Sequence, residues 1–368
     1  MSDKPVRILH VVPNMQAGGL ETLIMNLYRN IDRSKVQFDF LVHYQGNFFY
    51  DDEIRNLGGK IYKLSLRDDN NIPKYFYDLN KFFENHSEYK IVHGHMESTG
   101  RFYLRSAYKH GIPVRIAHAH NTSTDNNLKG ILKSILLQDF KRYATDFFAC
   151  SDKAGKYMFK RKDFKVLKNA IMLEAFTFDA DVRRIVREEL GIENNIVIGH
   201  IGRFTIQKNH VFIIDVFNEI SKLDDRAVLI LCGQGEKEKE IKTKVAEYGL
   251  DEKIRFLGTR KDVARIYQAM DCFLFPSLYE GLGIVAIEAQ CSGLPVIGSD
   301  VIPKEVAVTD CFHYMPLDAN AEKWAIKVLE SVHAKRKPQI KKIRDAGYDI
   351  RDVTLYLQKY YLEKSIMS

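Results

Sequence analysis

Glu280 and Glu288 stand with seven residues between them in the run Pro276-Ser277-Leu278-Tyr279-Glu280-Gly281-Leu282-Gly283-Ile284-Val285-Ala286-Ile287-Glu288-Ala289. An apolar strand from Cys272 is expected to enter a turn holding two glycines, and a helix to begin at about Leu282. The backbone N–H groups of Gly281, Leu282, Gly283 and Ile284 would then stand free at a positive helix end, a site for a phosphate or for sugar hydroxyls. On that start Glu288 lies about two turns into the helix, roughly 10–12 Å from Glu280 along the axis. Carboxylates so far apart do not share a proton, but they can hold two ends of one elongated ligand through its vicinal hydroxyls. The plain alternative is one loop glutamate and one on a helix surface.

A second run, Ile198-Gly199-His200-Ile201-Gly202-Arg203-Phe204-Thr205-Ile206-Gln207-Lys208-Asn209-His210, reads as a strand ending at Gly202 and a loop carrying Arg203 and Lys208. A guanidinium fork and a point-charge ammonium at one sheet mouth suit a diphosphate; otherwise they are solvated loop cations. Gly18 and Gly19 follow the first strand without the G-x-G-x-x-G spacing of a dinucleotide loop, so they are read as a tight turn or a close approach to substrate. His118 and His120 end one strand and share a face, as His93 and His95 do on the strand before. A polar cleft wall, or one catalytic or sugar-contacting histidine, is the reading. No acidic or thiol partner stands at metal spacing, so no metal site is expected.

The elements that must position these groups alternate. Short β-rich runs at Arg7, Gln37, Lys60, Ile91, Val114 and Thr145 are each followed by a turn and a helix-compatible stretch. The pattern restarts after about residue 173 with runs at Asn195, Ala227, Ile254, Cys272 and Leu294. Such alternation predicts α/β architecture with parallel sheets, here in two doubly wound Rossmann-like domains facing a cleft. The expected boundaries are 1–173 and 174–351. A terminal helix at about 352–368, with Val353, Tyr356, Leu357, Tyr360 and Tyr361 on one face, is expected to cross back to the first domain.

The 368 residues, 45% apolar and 28% charged, exclude disorder and small disulfide-stapled folds. Five cysteines with no close pair read as free thiols of a reducing compartment. No leader-like or spanning apolar stretch is visible, so a cytoplasmic chain is expected. The net charge of +7 is unevenly placed: residues 1–170 hold 27 Lys and Arg against 18 Asp and Glu, an excess of +9, and the remainder holds 28 against 30. The first half is therefore the part expected to meet something anionic. In Asn127 to Tyr143, apolar residues alternate with Lys129, Lys133, Lys141 and Arg142, a basic amphipathic pattern that fits either a solvated helix face or an anionic bilayer.

With these residues in view, the chain resembles over its whole length a retaining glycosyltransferase of the two-domain GT-B type, the large family four. The resemblance rests on the two glutamates, on Gly202-Arg203-Phe204 with Lys208-Asn209-His210, on Gly18-Gly19 and on His120 at its strand end. Ala119-His120-Asn121-Thr122 and Leu167-Lys168-Asn169-Ala170-Ile171 look most like bacterial capsule and exopolysaccharide transferases, with Ala170 where many members carry Gly. The resemblance implies an acceptor-binding first domain and a donor-binding second domain. Arg203 and Lys208 would bind the donor diphosphate, Glu288 the ribose, Glu280 with the backbone of Gly281 to Ile284 the donor sugar, Gly18 and Gly19 the phosphates or acceptor edge, and His120 the sugar near the reacting carbon. It implies a nucleotide-sugar donor, UDP before other nucleotides, a saccharide or polyprenyl-diphosphate-linked acceptor, no metal or other cofactor, and front-face transfer with retention. Docking on the inner membrane face through Lys129, Lys133, Lys141 and Arg142 is a further expectation; nucleic acid is not an expected partner. A UDP-N-acetylglucosamine 2-epimerase-like enzyme and a non-catalytic nucleotide-binding subunit remain as alternatives.

Overall fold

The computed structural model describes residues 4–65, 71–97, 99–120, 141–160 and 163–367. The chain divides into two compact units, Met1–Ile171 with Asp349–Ser368, and Met172–Tyr348. The division falls at Ile171 and Tyr348 because the short helix Leu173–Phe176 buries Leu173 and Phe176 and so goes with the second unit.

Among the described residues the first unit has seven parallel strands: β1 (Val6–Val12), β2 (Val36–Val42), β3 (Ile61–Lys63), β4 (Ile91–Gly94), β5 (Val114–Ala119), β6 (Asp146–Ala149) and β7 (Lys165–Val166). Their order is β3-β2-β1-β4-β5-β6-β7. The central strands are buried along nearly their whole length, which is why they read as mainly apolar runs, and the polar residues within them, such as His10, Gln37, Asp39, His93 and His118, are buried too. The order reverses between β1 and β4, and ligands of doubly wound sheets collect beyond the strand ends at such a switch point.

The second unit repeats the plan with β8 (Ile196–Ile201), β9 (Ala227–Cys232), β10 (Ile254–Phe256), β11 (Cys272–Phe275), β12 (Val296–Ser299) and β13 (Phe312–Met315), ordered β10-β9-β8-β11-β12-β13. Its switch point lies between β8 and β11. Strand β13 has no counterpart among the runs read from the sequence; it is an edge strand in which only Phe312 is buried, so it lacks an apolar signature. The loops after β8 and β9 touch at glycines. Gly233 has φ +141°, and a Cβ there would lie 2.1 Å from the Gly202 carbonyl oxygen.

The C-terminal helix, Ile350–Ile366, belongs to the first unit. Asp349 caps it through the Arg351 N–H, and the Ile350 N–H bonds the Ile171 carbonyl at 3.0 Å. Its buried face is Ile350, Thr354, Leu357, Tyr360 and Tyr361. Tyr356, expected on that face, is 45% exposed, and Thr354 is buried in the same turn. Burying each large side chain of this kind is worth about 1.5–3 kcal/mol, enough to hold a helix that packs on a sheet. All five cysteines are free, and all but Cys311 are buried. Among the described residues no helix is long and apolar enough to cross a membrane.

Candidate active site

In the second unit the loops that follow β8 and β11 meet across the switch point. A 3-10 turn, Ile206–Lys208, ends on Asn209, which takes the left-handed conformation at φ +56° before the helix His210–Leu223. That turn aims Lys208 back over the sheet, where its Nζ lies 2.6 Å from Glu280 Oε1 and 5.3 Å from the centre of the Phe275 ring. The pair is largely withdrawn from water, with side chains 15% and 5% exposed. Gln207 supports it: Nε2 donates to Glu280 Oε2 at 3.2 Å and to the Tyr279 carbonyl at 3.0 Å, and the Leu278 N–H returns a bond to the Gln207 carbonyl. Asn209 donates to the Pro276 carbonyl at 3.2 Å. Gln207 and Asn209 went unremarked in the sequence as positioning residues, because each acts through a neighbouring loop distant in the chain. Arg203, in contrast, is exposed, and its side chain makes no hydrogen bond or ion pair among the described residues.

The helix after β11 begins at Ile284, two residues later than expected, because Gly283 sits at φ +86° and ψ +51° and cannot continue a right-handed helix. Glu288 is accordingly the fifth residue of Ile284–Cys291, little more than one turn in. The N–H groups of Gly281, Leu282, Gly283 and Ile284 donate no hydrogen bond among the described residues, so the loop and helix start together keep free donors. Glu288 is no helix-surface residue: it is 7% exposed, and Oε2 lies 2.9 Å from the Tyr267 hydroxyl, which also stands 3.0 Å from the Val285 carbonyl. Burial pushes the Glu288 carboxyl up to about 7, with the Tyr267 hydrogen bond opposing that rise. A carboxyl at that position changes charge in the neutral range. His200 and His210 lie beside this site, both held well below the usual imidazole range by burial.

Gly18, Gly19 and His120 belong to the first unit. Gly18 is the N-cap of the helix Gly19–Asn30, and a Cβ on it would fall 2.3 Å from a Glu21 carboxylate oxygen; around Gly19 there is open space. His120 follows the end of β5, with its backbone N–H on Glu97 Oε1 at 3.0 Å. Its ring joins a cluster that the sequence pairs foreshadowed only in part: His93, His95, His118 and His120 are joined by His10 of β1, which is wholly buried. A polar residue between Leu9 and Val11 in an apolar strand was the signal for it. Nitrogens of His10, His93 and His95, and those of His95, His118 and His120, each fall within 4.8 Å of one another. The closest pairs, at 3.0 Å, face each other as hydrogen bonds, whereas a tetrahedral zinc ion at about 2.0–2.1 Å from each nitrogen would hold two of them roughly 3.3–3.4 Å apart. Lys129 and Lys133 lie outside the described residues, as does most of the stretch from Asn127 to Tyr143; Arg142 is exposed.

Two family descriptions match the chain, Glycosyltransferase Family 4 over residues 17–174 and Glycosyl transferases group 1 over residues 182–345. The EpsF glycosyltransferase of Bacillus subtilis (strain 168) is 35% identical over 318 residues, covering 83% of this chain and 82% of that protein. The UDP-Gal:alpha-D-GlcNAc-diphosphoundecaprenol alpha-1,3-galactosyltransferase of Escherichia coli is 26% identical over 245 residues, covering 63% of each. Among solved structures, HepE of Anabaena in complex with UDP-glucose superposes with a TM-score of 0.76 at 16% identity, over 98% of this chain and all of that one. Two Rossmann-like parallel-sheet units, the C-terminal helix packed on the first and these matches agree: the chain belongs to glycosyltransferase family 4 and is a hexosyltransferase of the GT-B fold.

Proposed function

We propose that this enzyme is a retaining, metal-independent transferase that moves a hexosyl or N-acetylhexosaminyl group from a UDP-sugar to a polyprenyl-diphosphate-linked saccharide in capsule or exopolysaccharide synthesis. The observation that carries the reading is the Lys208–Glu280 pair at the switch point of the second unit, on the same two loops that carry the exposed Arg203 and four backbone N–H groups without a partner among the described residues. Lys208 and Arg203 offer cations to the diphosphate, and the N–H groups from Gly281 to Ile284 offer donors to its oxygens or to sugar hydroxyls. Together they can neutralise the charge that develops on the leaving group, the role a divalent ion has elsewhere. Glu288 takes ribose hydroxyls, Glu280 orients the donor sugar, and His120 contacts the sugar near the reacting carbon. The bond from the anomeric carbon to the phosphate oxygen breaks as the acceptor oxygen bonds to that carbon on the same face. The acceptor proton passes to the leaving phosphate.

Support for the donor and acceptor classes comes from the named relatives, one solved with UDP-glucose and one acting on a diphosphoundecaprenol-linked sugar. A panel of nucleotide sugars read by nucleotide release, followed by mass spectrometry of a lipid-linked acceptor, tests the reading. Transfer with retained anomeric configuration, unchanged by EDTA, is the expected result; epimerisation of donor without acceptor would replace it.

The first half of the chain carries the positive excess, and this reading makes it the acceptor side of a cytoplasmic enzyme working at the inner membrane face. Reversing the charges of Lys129, Lys133, Lys141 and Arg142 is expected to abolish co-sedimentation with anionic vesicles. Equal binding to neutral and anionic vesicles would end the membrane part of the proposal alone.

A further inference from the structure

The imidazoles of the first unit form two hydrogen-bonded runs. In one, His10 Nδ1 faces His95 Nε2 and His95 Nδ1 faces His120 Nε2, each at 3.0 Å. In the other, the Tyr361 hydroxyl meets His93 Nδ1 at 2.5 Å, and His93 Nε2 meets His118 Nδ1 at 3.1 Å. Burial holds His10 and His120 down at about 3 and His95 well below the usual range, so all three rings of the first run are neutral.

A neutral imidazole has one N–H and one lone pair, and this fixes how the run can be filled. If His10 donates from Nδ1, His95 accepts at Nε2 and must carry its own hydrogen on Nδ1; it then donates to His120, whose hydrogen is left on Nδ1. Reversing the first contact puts every hydrogen on Nε2. The three rings therefore share one tautomer. The two ends, His10 Nε2 and His120 Nδ1, are both buried without a hydrogen-bond partner among the described residues. Changing from one filling to the other requires a proton to enter at one end as another leaves at the far end. His10 Nε2, in a wholly buried residue packed on Phe38 and Phe40, has no group among the described residues with which to exchange one.

An orphaned N–H is the rarer and costlier end to leave inside a core. His10 lies deep in the sheet, while His120, although its Nδ1 is itself enclosed, belongs to a partly exposed residue past the end of β5 where a small ring movement can give that N–H an acceptor, so the filling that puts the N–H at His120 is the cheaper one. We propose that His10 and His95 are positioning residues which lock His120 as the Nδ1–H tautomer, making it a neutral hydrogen-bond donor to an oxygen of the sugar and not the base that deprotonates the acceptor. This rests on the reading above that His120 contacts the donor sugar.

The test is two-bond proton–nitrogen correlation on the full chain labelled with nitrogen-15 histidine, with His10→Phe, His95→Phe and His120→Phe variants to assign the rings. His10, His95 and His120 are expected to show the Nδ1–H pattern, unchanged between about pH 6 and 8. In His95→Phe the His120 pattern is expected to become mixed, with turnover lowered at least about 10-fold, the sense of loss seen when a catalytic ring takes the wrong tautomer. His120 found as Nε2–H, rings of differing tautomer, a charged ring at pH 6.5, or zinc binding that replaces the pattern would each overturn the proposal. The wild-type spectrum decides even if a variant fails to fold. The wider reading fails differently, through native turnover of His120→Phe while the wild-type tautomers agree.

Discussion

Lys208 Nζ and Glu280 Oε1 lie 2.6 Å apart and join two loops that flank the reversal of strand order between β8 and β11. In the free enzyme each group neutralises the other in a mostly dehydrated setting. On the proposed reading, a diphosphate would draw Lys208 toward itself, and that movement would release Glu280 to accept hydrogen bonds from the sugar. Donor binding and sugar orientation would then be coupled through one ion pair.

Lys208→Ala and Glu280→Ala are each expected to lower turnover at least about 100-fold, as happens when a preorganised charge near the developing anion is removed. The double variant should lose less than the product of the two, because the residues act as one unit. Thermal melts give a second reading. Each single variant leaves one poorly hydrated charge without its partner and should lie below the double variant in Tm. Multiplicative losses together with unchanged melts would separate the two residues functionally.

Arg203 differs in kind, being exposed and without a side-chain partner among the described residues. Arg203→Ala is expected to leave Tm unchanged while lowering turnover at least about 100-fold. UDP binding by the wild type should weaken with added salt more steeply than binding by the variant, since an exposed cation is the one that salt screens. Equal salt dependence in calorimetry would remove Arg203 from the diphosphate site.

Glu288 supplies a pH dependence. Burial raises its carboxyl to about 7, so the group is mostly protonated at pH 6 and mostly charged at pH 8. A charged carboxylate accepts hydrogen bonds from both ribose hydroxyls, whereas the protonated form loses part of that capacity. UDP affinity should therefore rise with pH through about 7, and Glu288→Gln should flatten the rise. Calorimetry of both proteins on the same ligand cancels the titration of the phosphate itself. A parallel rise in the variant would assign the effect elsewhere.

Much of this architecture was legible in the sequence because buried parallel strands are written as apolar runs, and the turn residues Gly202 and Gly281 punctuate them. Edge strand β13 was not, since three of its four residues keep contact with water. At the candidate site, the glutamates, Arg203 and Lys208 were readable as residue types suited to a diphosphate and to sugar hydroxyls. Their pairing was not: the Lys208–Glu280 contact spans 72 positions, and nothing local encodes it. The same holds for Tyr267, which reaches Glu288 across 21 positions, and for His10, whose meaning depends on a strand 85 positions away. Helix starts failed for a different reason. Gly283 looks like any loop glycine until its left-handed conformation delays the helix by two residues.

That delay is itself open to test. Gly283 holds φ +86°, and a Cβ there would meet the Phe275 ring at 3.1 Å, so a side chain faces both backbone strain and a tight contact. The left-handed region costs an ordinary residue about 1–2 kcal/mol and a β-branched one more, while Asn visits it with less strain. Gly283→Val should therefore lower stability by about 2 kcal/mol or more and Gly283→Asn by less, in denaturant unfolding of the second unit's transition. If Val forces the turn into a right-handed form, the helix would begin earlier and consume N–H groups from Gly281 onward as intrahelical donors. Donor KM should then rise in Gly283→Val beyond what its stability loss explains, since the proposed reading gives those groups to the diphosphate or sugar. An unchanged KM in a folded Gly283→Val protein would mean that the free N–H groups take no part in binding the donor.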